Sequence, residues 1–241
     1  LSTMGKYYMK KDSVIEPVYY DAWDVKNYGK AEVPTIMDMY DVVFELNGNG
    51  GNLGADFVGT LAGPWLAKGT ATNPKIYFFS DQDHGWISNY KDTTFLDADA
   101  HAQYFGVKAL INQDYPNGAT TTWKLDLDPN VATDKVFDFI DKKNKKDTVT
   151  LWYHPTFELS PSITNWMDEL TPTATAKPLF RDVSHGNKVV GLRNSDATAK
   201  WHTFYLAFDH MGTDFRSDTS TVKYSTPDKD PKYAWITDVG G

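Results

Sequence analysis

Short segments rich in Val, Tyr, Phe and Trp recur along this chain of 241 residues, each bounded by Gly, Pro, Asn or Asp. β-Branched and aromatic side chains suit a pleated, half-buried surface, and the bounding residues favour turns. Many short strands and few helices indicate an all-β fold, which we expect to be an antiparallel β-sandwich of jelly-roll-like layout. The predicted strands are Val14–Tyr20, Asp41–Leu46, Lys75–Phe79, Phe95–Phe105, Thr120–Leu127, Thr148–Tyr153, Lys188–Leu192 and Trp201–Phe208.

Helical patterns are confined to two short segments. Val131–Lys142 has apolar residues at helical spacing, and Ser162–Leu170 has the composition of a short capped turn. No repeat or low-complexity segment divides the chain, so we expect a single sandwich domain over residues 13–241. Residues 1–12 precede the first predicted strand, and we expect them to form an exposed arm.

The overall composition excludes several classes of protein. Hydrophobic residues make up 41% of the chain, which is enough for a packed core, and the net charge of −8 repels a phosphate backbone. Nucleic acid is therefore not an expected partner. The chain has no cysteine, which excludes disulfides, thiolate metal sites, iron–sulfur clusters and thioether-linked haem, but not b-type haem. No apolar run of about 18 residues exists, so no membrane-spanning helix is expected.

The first residue is Leu1, not Met. Removal of an export signal would account for this, as would trimming of the chain. The absence of cysteine suits an exported protein, although it also suits many cytosolic ones. From these two features we expect a periplasmic or extracellular location.

Acidic and imidazole side chains are concentrated between Ile76 and Phe105. Asp81, Asp83 and His84 directly follow an aromatic strand, in a turn where oxygen ligands can surround a cation such as Ca²⁺. This turn is the predicted metal site, with solvated or capping carboxylates as the alternative. The next predicted strand carries three such residues on one face, about 6.6 Å apart at each step, which is too far for one ion to bind them all: Asp97, Asp99 and His101.

The sequence contains no catalytic motif. There is no Gly-x-Ser-x-Gly elbow, no His-Glu-x-x-His motif and no P-loop. The Gly-rich run after Asp41–Leu46 fails the dinucleotide fingerprint, because Gly54 follows Gly50 by four positions and not three. We therefore expect a binding or structural protein and not an enzyme.

The aromatic excess supports one alternative function, a carbohydrate-binding module with calcium-supported loops. Trp65, Trp86 and Trp166 lie in loop-like contexts near Asp and Asn, where an exposed indole could stack on a sugar. The competing interpretation places these rings in the core, where most Trp side chains of such a domain lie.

The predicted arm over residues 1–12 supports another alternative, a structural subunit of a capsid, surface layer or filament. An extended arm can add a strand to the sheet edge of a neighbouring molecule. In that case the partners are other protein subunits or further copies of the same chain.

Four segments, taken in order, carry a resemblance to a known family. They are the aromatic strand Ile76–Phe78, the run Phe95–Ala100 with its Phe-x-Asp-Ala-x-Ala pattern, and two Trp-containing strands, Thr150–Tyr153 and Lys200–Phe204. This order resembles the b-haem-binding γ subunits of periplasmic molybdenum enzymes of the ethylbenzene and dimethylsulfide dehydrogenase type. The resemblance implies a non-catalytic electron-transfer subunit of an oxidoreductase, with b-type haem as cofactor.

The resemblance also suggests which residues would hold the haem iron. The family uses a Met and a Lys, and Lys232, followed by an aromatic residue, matches the lysine. No Met lies between Met39 and Met167, where the family places its methionine. The resemblance therefore leaves His101, His154 or Met211 to supply the other ligand.

Overall fold

The computed structural model describes residues 3–11, 14–22, 37–48, 61–82, 84–87, 92–112, 123–130, 150–153, 167–209 and 213–214. Within these ranges the chain is mostly β, as predicted, and no helix is long and apolar enough to cross a bilayer. The described residues include three one-turn helices: α1 (Gly63–Leu66), α2 (His84–Ile87) and α3 (Ala100–Gln103). The strands are β1 (Thr3–Lys11), β2 (Val14–Ala22), β3 (Val42–Gly48), β4 (Lys75–Asp81), β5 (Thr93–Thr94), β6 (Val107–Ile111), β7 (Trp123–Leu127), β8 (Thr150–Tyr153), β9 (Glu169–Pro172), β10 (Lys177–Asp182), β11 (Lys188–Ser195), β12 (Trp201–Leu206) and β13 (Thr213–Asp214).

The strands form one large sheet, one small sheet and a hairpin. The large sheet has the order β13-β8-β7-β10-β11-β12-β4-β3, and the small one has the order β5-β6-β9. β1 and β2 pair with each other along their whole length. Residues 3–11 of the segment predicted as an exposed arm therefore form one strand of a β-hairpin.

Strand β4 departs from the predicted antiparallel layout. It pairs parallel with β12 on one side and with β3 on the other, whereas the other described pairs are antiparallel. The large sheet is therefore mixed. Because parallel strands end at the same edge, Ser80 near the end of β4 lies beside Leu206 of β12 and Leu46 of β3. This edge leads directly into helix α2.

One predicted strand, Phe95–Phe105, is wrong. Only its start joins the small sheet, where the Phe95 N–H donates to the Lys108 carbonyl, and the chain then turns into α3. The Asp99 carboxylate accepts the Leu96 N–H at 2.6 Å, and the backbone carbonyl of Asp99 accepts the Gln103 N–H at 2.8 Å. An Asp side chain that satisfies a local backbone donor favours a turn over a strand ladder.

The other predictions divide between confirmed strands and missed ones. The remaining seven predicted strands coincide with β2, β3, β4, β7, β8, β11 and β12, with ends that differ by up to three residues. The residue pattern did not predict the other strands of the two sheets, which are β5, β6, β9, β10 and β13. The predicted helix Val131–Lys142 lies outside the described residues. The predicted turn over Ser162–Leu170 is wrong at its end, because Glu169 and Leu170 belong to β9.

One hydrophobic cluster draws buried side chains from both sheets. Tyr77 and Phe79 of β4 and Tyr205 of β12 lie in the same cluster as Leu110 of β6 and Leu170 of β9. The Phe79 and Tyr205 ring centroids are 4.9 Å apart. Burial of this apolar area is the main favourable term for folding, and it fixes the end of β4 against the small sheet.

Candidate functional site

Buried polar side chains concentrate at the end of β4 and around the short helix that follows it. Asp81, Gln82, His84, His101 and Asp168 are all buried. Burying a polar or charged group costs free energy unless it finds partners, so such groups are uncommon in a core. Their concentration at one strand end makes this region the candidate functional site.

Two imidazole rings meet at the centre of this region. His84 begins α2 and is 1% exposed, and His101 lies in α3 and is 3% exposed. Their Nε2 atoms are 3.0 Å apart, a hydrogen-bond distance at which one ring donates its N–H to the lone pair of the other. We refer to His84 and His101 together as the imidazole pair.

Aromatic rings fix the orientation of the imidazole pair. The His101 ring stacks on Phe95, with centroids 4.3 Å apart and planes 8° apart. The His84 ring meets Phe79 at 5.0 Å and Tyr205 at 5.9 Å, in both cases edge to face. Packing on several sides restricts the rotamers of both rings, so their Nε2 atoms are directed at each other.

The backbone beside His84 is held by a close approach at Gly85. Its N–H donates to Asp168 Oδ2 at 2.9 Å. A Cβ at this position would lie 2.5 Å from Leu110 Cδ2, 2.9 Å from Asn112 Oδ1 and 3.0 Å from Asp168 Oδ1. Only glycine fits there without displacement of these neighbours, so Gly85 permits the contact that holds α2 and His84 against the small sheet.

Burial keeps both rings of the imidazole pair uncharged at neutral pH. Burial, and to a lesser degree the charge of His101, lowers the pKa of His84 well below its usual value of 6.5. Burial also lowers the pKa of His101 to about 4, although the Asp99 carboxylate opposes this shift. Two neutral imidazoles with facing nitrogens can share one proton or bind one metal ion.

The predicted metal-binding residues are only partly described. Asp81 is buried at the end of β4 and His84 belongs to the imidazole pair, while Asp83 lies outside the described residues. Among the side chains that the structure describes, no group of three or more His, Asp or Glu residues is arranged to hold a metal ion. The predicted role of these residues in binding calcium stays a prediction.

The structure describes one of the predicted haem ligands, His101, and its Nε2 faces that of His84. A metal ion lies about 2 Å from an imidazole nitrogen that binds it, so two ligands on opposite faces of a haem are about 4 Å apart. His84 Nε2 is 3.0 Å from His101 Nε2, so these two rings are not the axial pair of a haem in this arrangement. The predicted role of His101 as a haem ligand stays a prediction. The other proposed haem ligands, His154, Met211 and Lys232, lie outside the described residues.

The structure describes the indole of one predicted sugar-binding tryptophan. Trp65 in α1 is buried, and its Nε1–H donates to the Met37 carbonyl at 2.7 Å. Its ring packs against Tyr77, so it has no exposed face for a sugar. Trp86 belongs to α2 but its side chain is outside the described part, as is the whole of Trp166.

Sequence reasoning singled out His84 and His101 separately, as ligands of different groups, and did not pair them. It also missed Asp168 and Asn112, which contact Gly85 from elsewhere in the chain. No spacing motif connects these positions. The one local signal is the glycine directly after His84, which is typical of a close backbone approach.

Comparisons with known proteins add no functional information. No family model matches the chain, and no curated protein matches its sequence. Cytoplasmic Protein STM3548 from Salmonella typhimurium, a solved structure, has a TM-score of 0.35 and 8% sequence identity, over 99% of this chain and 95% of that chain. A TM-score this low does not establish a shared fold.

Proposed function

We propose that the protein is a non-catalytic, extracytoplasmic binding subunit whose ligand is a divalent transition-metal ion held by the imidazole pair. The observation that carries the proposal is the 3.0 Å separation of His84 Nε2 and His101 Nε2. Neutral imidazole is a common ligand of such ions. An ion bound by both nitrogens would displace the hydrogen that lies between them. Because metal–nitrogen bonds are about 2 Å long, it would lie to one side of the 3.0 Å line that joins the nitrogens, and both rings would have to turn towards it.

Two carboxylates near the imidazole pair, one half-buried (Asp99) and one buried (Asp168), support the proposal. A dication bound by neutral ligands in a dry site needs negative charge close by. The Asp99 charge acts on the His101 ring, and Asp168 accepts the N–H of the residue after His84. Carboxylates in such positions compensate the ion and orient its ligands.

Burial, composition and packing support the other parts of the proposal, which are the non-catalytic role, the extracytoplasmic location and the jelly-roll-like layout. The near-complete burial of both imidazoles suits a binding role better than catalysis, because a substrate has no direct access to them. The absence of cysteine and the family resemblance support an extracytoplasmic location. The core shared by the two sheets supports a jelly-roll-like packing of one sheet on the other.

Dialysis of the purified full chain against a mixture of Cu²⁺, Ni²⁺ and Zn²⁺, followed by elemental analysis, tests this function. We expect one transition-metal ion per chain. His84→Phe and His101→Phe each keep a flat ring in the pocket but remove a nitrogen, and each is expected to weaken binding at least about 100-fold. The matched control is His185→Phe, because His185 is a half-buried histidine that pairs with Asp182 at 3.1 Å outside the imidazole pair.

A wild-type chain that binds no ion contradicts the proposal, as does undiminished binding by either imidazole-pair variant. An absorption spectrum of the same sample separates the metal from haem. We expect no Soret band, before or after incubation with haem. A strong band would favour the electron-transfer function that the family resemblance implies.

A second candidate function, self-assembly into a structural subunit, is favoured by strand β3. Among the described strands β3 is at the edge of the large sheet, with β4 as its neighbour. Val42, Phe44 and Leu46 alternate along it and are 42%, 50% and 42% exposed. An edge strand with an exposed apolar face is a template for pairing with another chain.

Substitution of Phe44 by Lys is expected to convert an assembly of wild-type chains into monomers, because a charge on an edge strand disfavours pairing. Light scattering after size-exclusion chromatography at micromolar concentration measures the change. Leu96→Lys is the control, since Leu96 is also an exposed apolar residue, at 72%, but lies between β5 and α3 and not on β3. A wild-type chain that is monomeric at all concentrations argues against this function.

A further inference from the structure

We infer that two copies of this chain pair through β3 in antiparallel order, with Phe44 of one copy opposite Phe44 of the other on a two-fold axis. This inference rests on the second candidate function, self-assembly through β3, and names the partner as one further copy of the chain. It does not depend on the imidazole pair. The pairing joins the large sheets of the two copies into one continuous sheet.

The backbone of β3 offers hydrogen-bonding groups to a further strand. The Ile76 N–H donates to the Asp41 carbonyl at 2.8 Å, which shows that the odd-numbered residues of this segment direct their backbone groups towards β4. Because these directions alternate along a strand, the even-numbered residues direct their N–H and C=O groups to the other side. These residues are Val42, Phe44 and Leu46. Among the described strands, none lies on that side of β3.

The inward side chains of β3 fix which of its residues face a partner. Glu45 is 5% exposed and accepts a hydrogen bond from the Tyr77 hydroxyl, and Val43 packs against the hydrophobic cluster. A slip of β3 by one residue would turn both side chains out and turn Phe44 in, so the register on β4 is strongly specified. The Phe44 ring is supported from its own sheet by Phe78, with ring centroids 5.6 Å apart.

Apolar pattern and charge together select one antiparallel register between the two copies. With Phe44 opposite Phe44, Val42 of each copy lies opposite Leu46 of the other, so the three exposed apolar residues all meet apolar partners. A shift by two residues in either direction places Glu45 opposite Asp41 or opposite the Glu45 of the second copy. Like charges directly opposite each other destabilise a strand pair, so β3 is self-complementary only in the register centred on Phe44.

The opposite edge of the large sheet limits this pairing to two copies. Among the described strands β13 forms that edge, and it has only two residues, Thr213–Asp214, which makes it a poor template for a further strand. A two-fold axis uses β3 of both copies, so the assembly closes as a dimer. Because the paired segment is short, we expect a reversible dimer with a dissociation constant of about 1–100 μM, as is typical of small interfaces.

Disulfide trapping of single-cysteine variants of the full chain tests the inference, because the chain has no cysteine of its own. Residues opposite each other in an antiparallel pair have Cα atoms about 4.5–5.5 Å apart, which a disulfide can bridge. Under mild oxidation we expect Phe44→Cys chains to form covalent dimers, and a mixture of Val42→Cys and Leu46→Cys chains to do the same. Val42→Cys alone is the matched control, and we expect at least about tenfold less covalent dimer from it, because its two thiols lie four residues apart along the pair. All three side chains are at least 42% exposed, so the substitutions leave the core intact.

Sedimentation of the wild-type chain at micromolar to submillimolar concentrations separates a failure of the inference from a failure of the second candidate function. A dimer is the expected result. Assemblies larger than a dimer, or a dimer in which Phe44→Cys cross-links no better than Val42→Cys, overturn the inferred pairing and leave self-assembly intact. A chain that stays monomeric overturns both, and this is also the result if β3 binds a strand of a different protein.

Discussion

Acidification of the metal-free protein from pH 7 to pH 5 is expected to lower its free energy of unfolding by roughly 4 kcal/mol through the imidazole pair alone. Both imidazoles are buried and have lowered pKa values, about 4 for His101. An unfolded chain takes up a proton on each ring as the pH falls through about 6.5, while the folded chain does not. The stabilisation is therefore present above pH 6.5, the pKa of the rings in the unfolded chain. It is lost as the pH falls towards their lower pKa in the folded chain. Urea unfolding at a series of pH values measures it.

The double variant His84→Phe/His101→Phe isolates this effect. It replaces both partners of the hydrogen bond by rings, so neither imidazole is left buried without a partner. His202, whose pKa is also lowered by burial, retains a smaller dependence of the same sign, and Glu169, whose pKa is raised by burial, opposes it. A double variant with the same pH dependence as the wild type would show that the imidazole pair is not its source.

Gly69→Ala is expected to destabilise the fold by about 3 kcal/mol or more, which overpacking against a rigid backbone can cost. A Cβ at Gly69 would lie 1.9 Å from the Lys200 carbonyl oxygen and 2.9 Å from the Lys75 nitrogen. That carbonyl accepts the Lys75 N–H at 3.0 Å, where the parallel pairing of β4 with β12 begins. The added methyl group therefore separates the two strands at their start. Urea unfolding at neutral pH measures the loss.

Gly186→Ala is the control for Gly69→Ala. Gly186 has a φ of +81°, but an added Cβ meets no atom closer than 3.9 Å. The expected cost there is the conformational penalty of about 1 kcal/mol. Equal losses in the two variants would mean that the contact with Lys200 does not determine the cost at Gly69.

The residue pattern predicted strands wherever the signal is local. In β4 and β12 the aromatic and β-branched residues and the bounding turns are visible in the sequence, and both strands were predicted. The pattern does not reveal that Trp201 lies beside Lys75 in parallel register, because that depends on how distant segments come together. Parallel and antiparallel neighbours leave the same alternation in a single strand.

The candidate site was predicted only in fragments for the same reason. The residues around His84 were recognised as a polar turn, but His101 was assigned to a strand because the turn made by the Asp99 side chain was not recognised. The pairing of the two rings depends on α3 packing beside α2, and Asp168 reaches Gly85 from the start of β9. These are tertiary contacts between segments that no spacing in the sequence connects.

The parallel pairing of β4 also has a consequence for the order of folding. β4 is complete at Asp81, but its partner β12 begins only at Trp201, so a long stretch of chain must be made before the two can pair. Closing a loop between such distant segments costs conformational entropy before the new contacts add any stability, so these contacts slow folding. During synthesis, β4 therefore cannot pair with β12 until residues 201–206 have been made. We expect the imidazole pair to assemble among the last parts of the core.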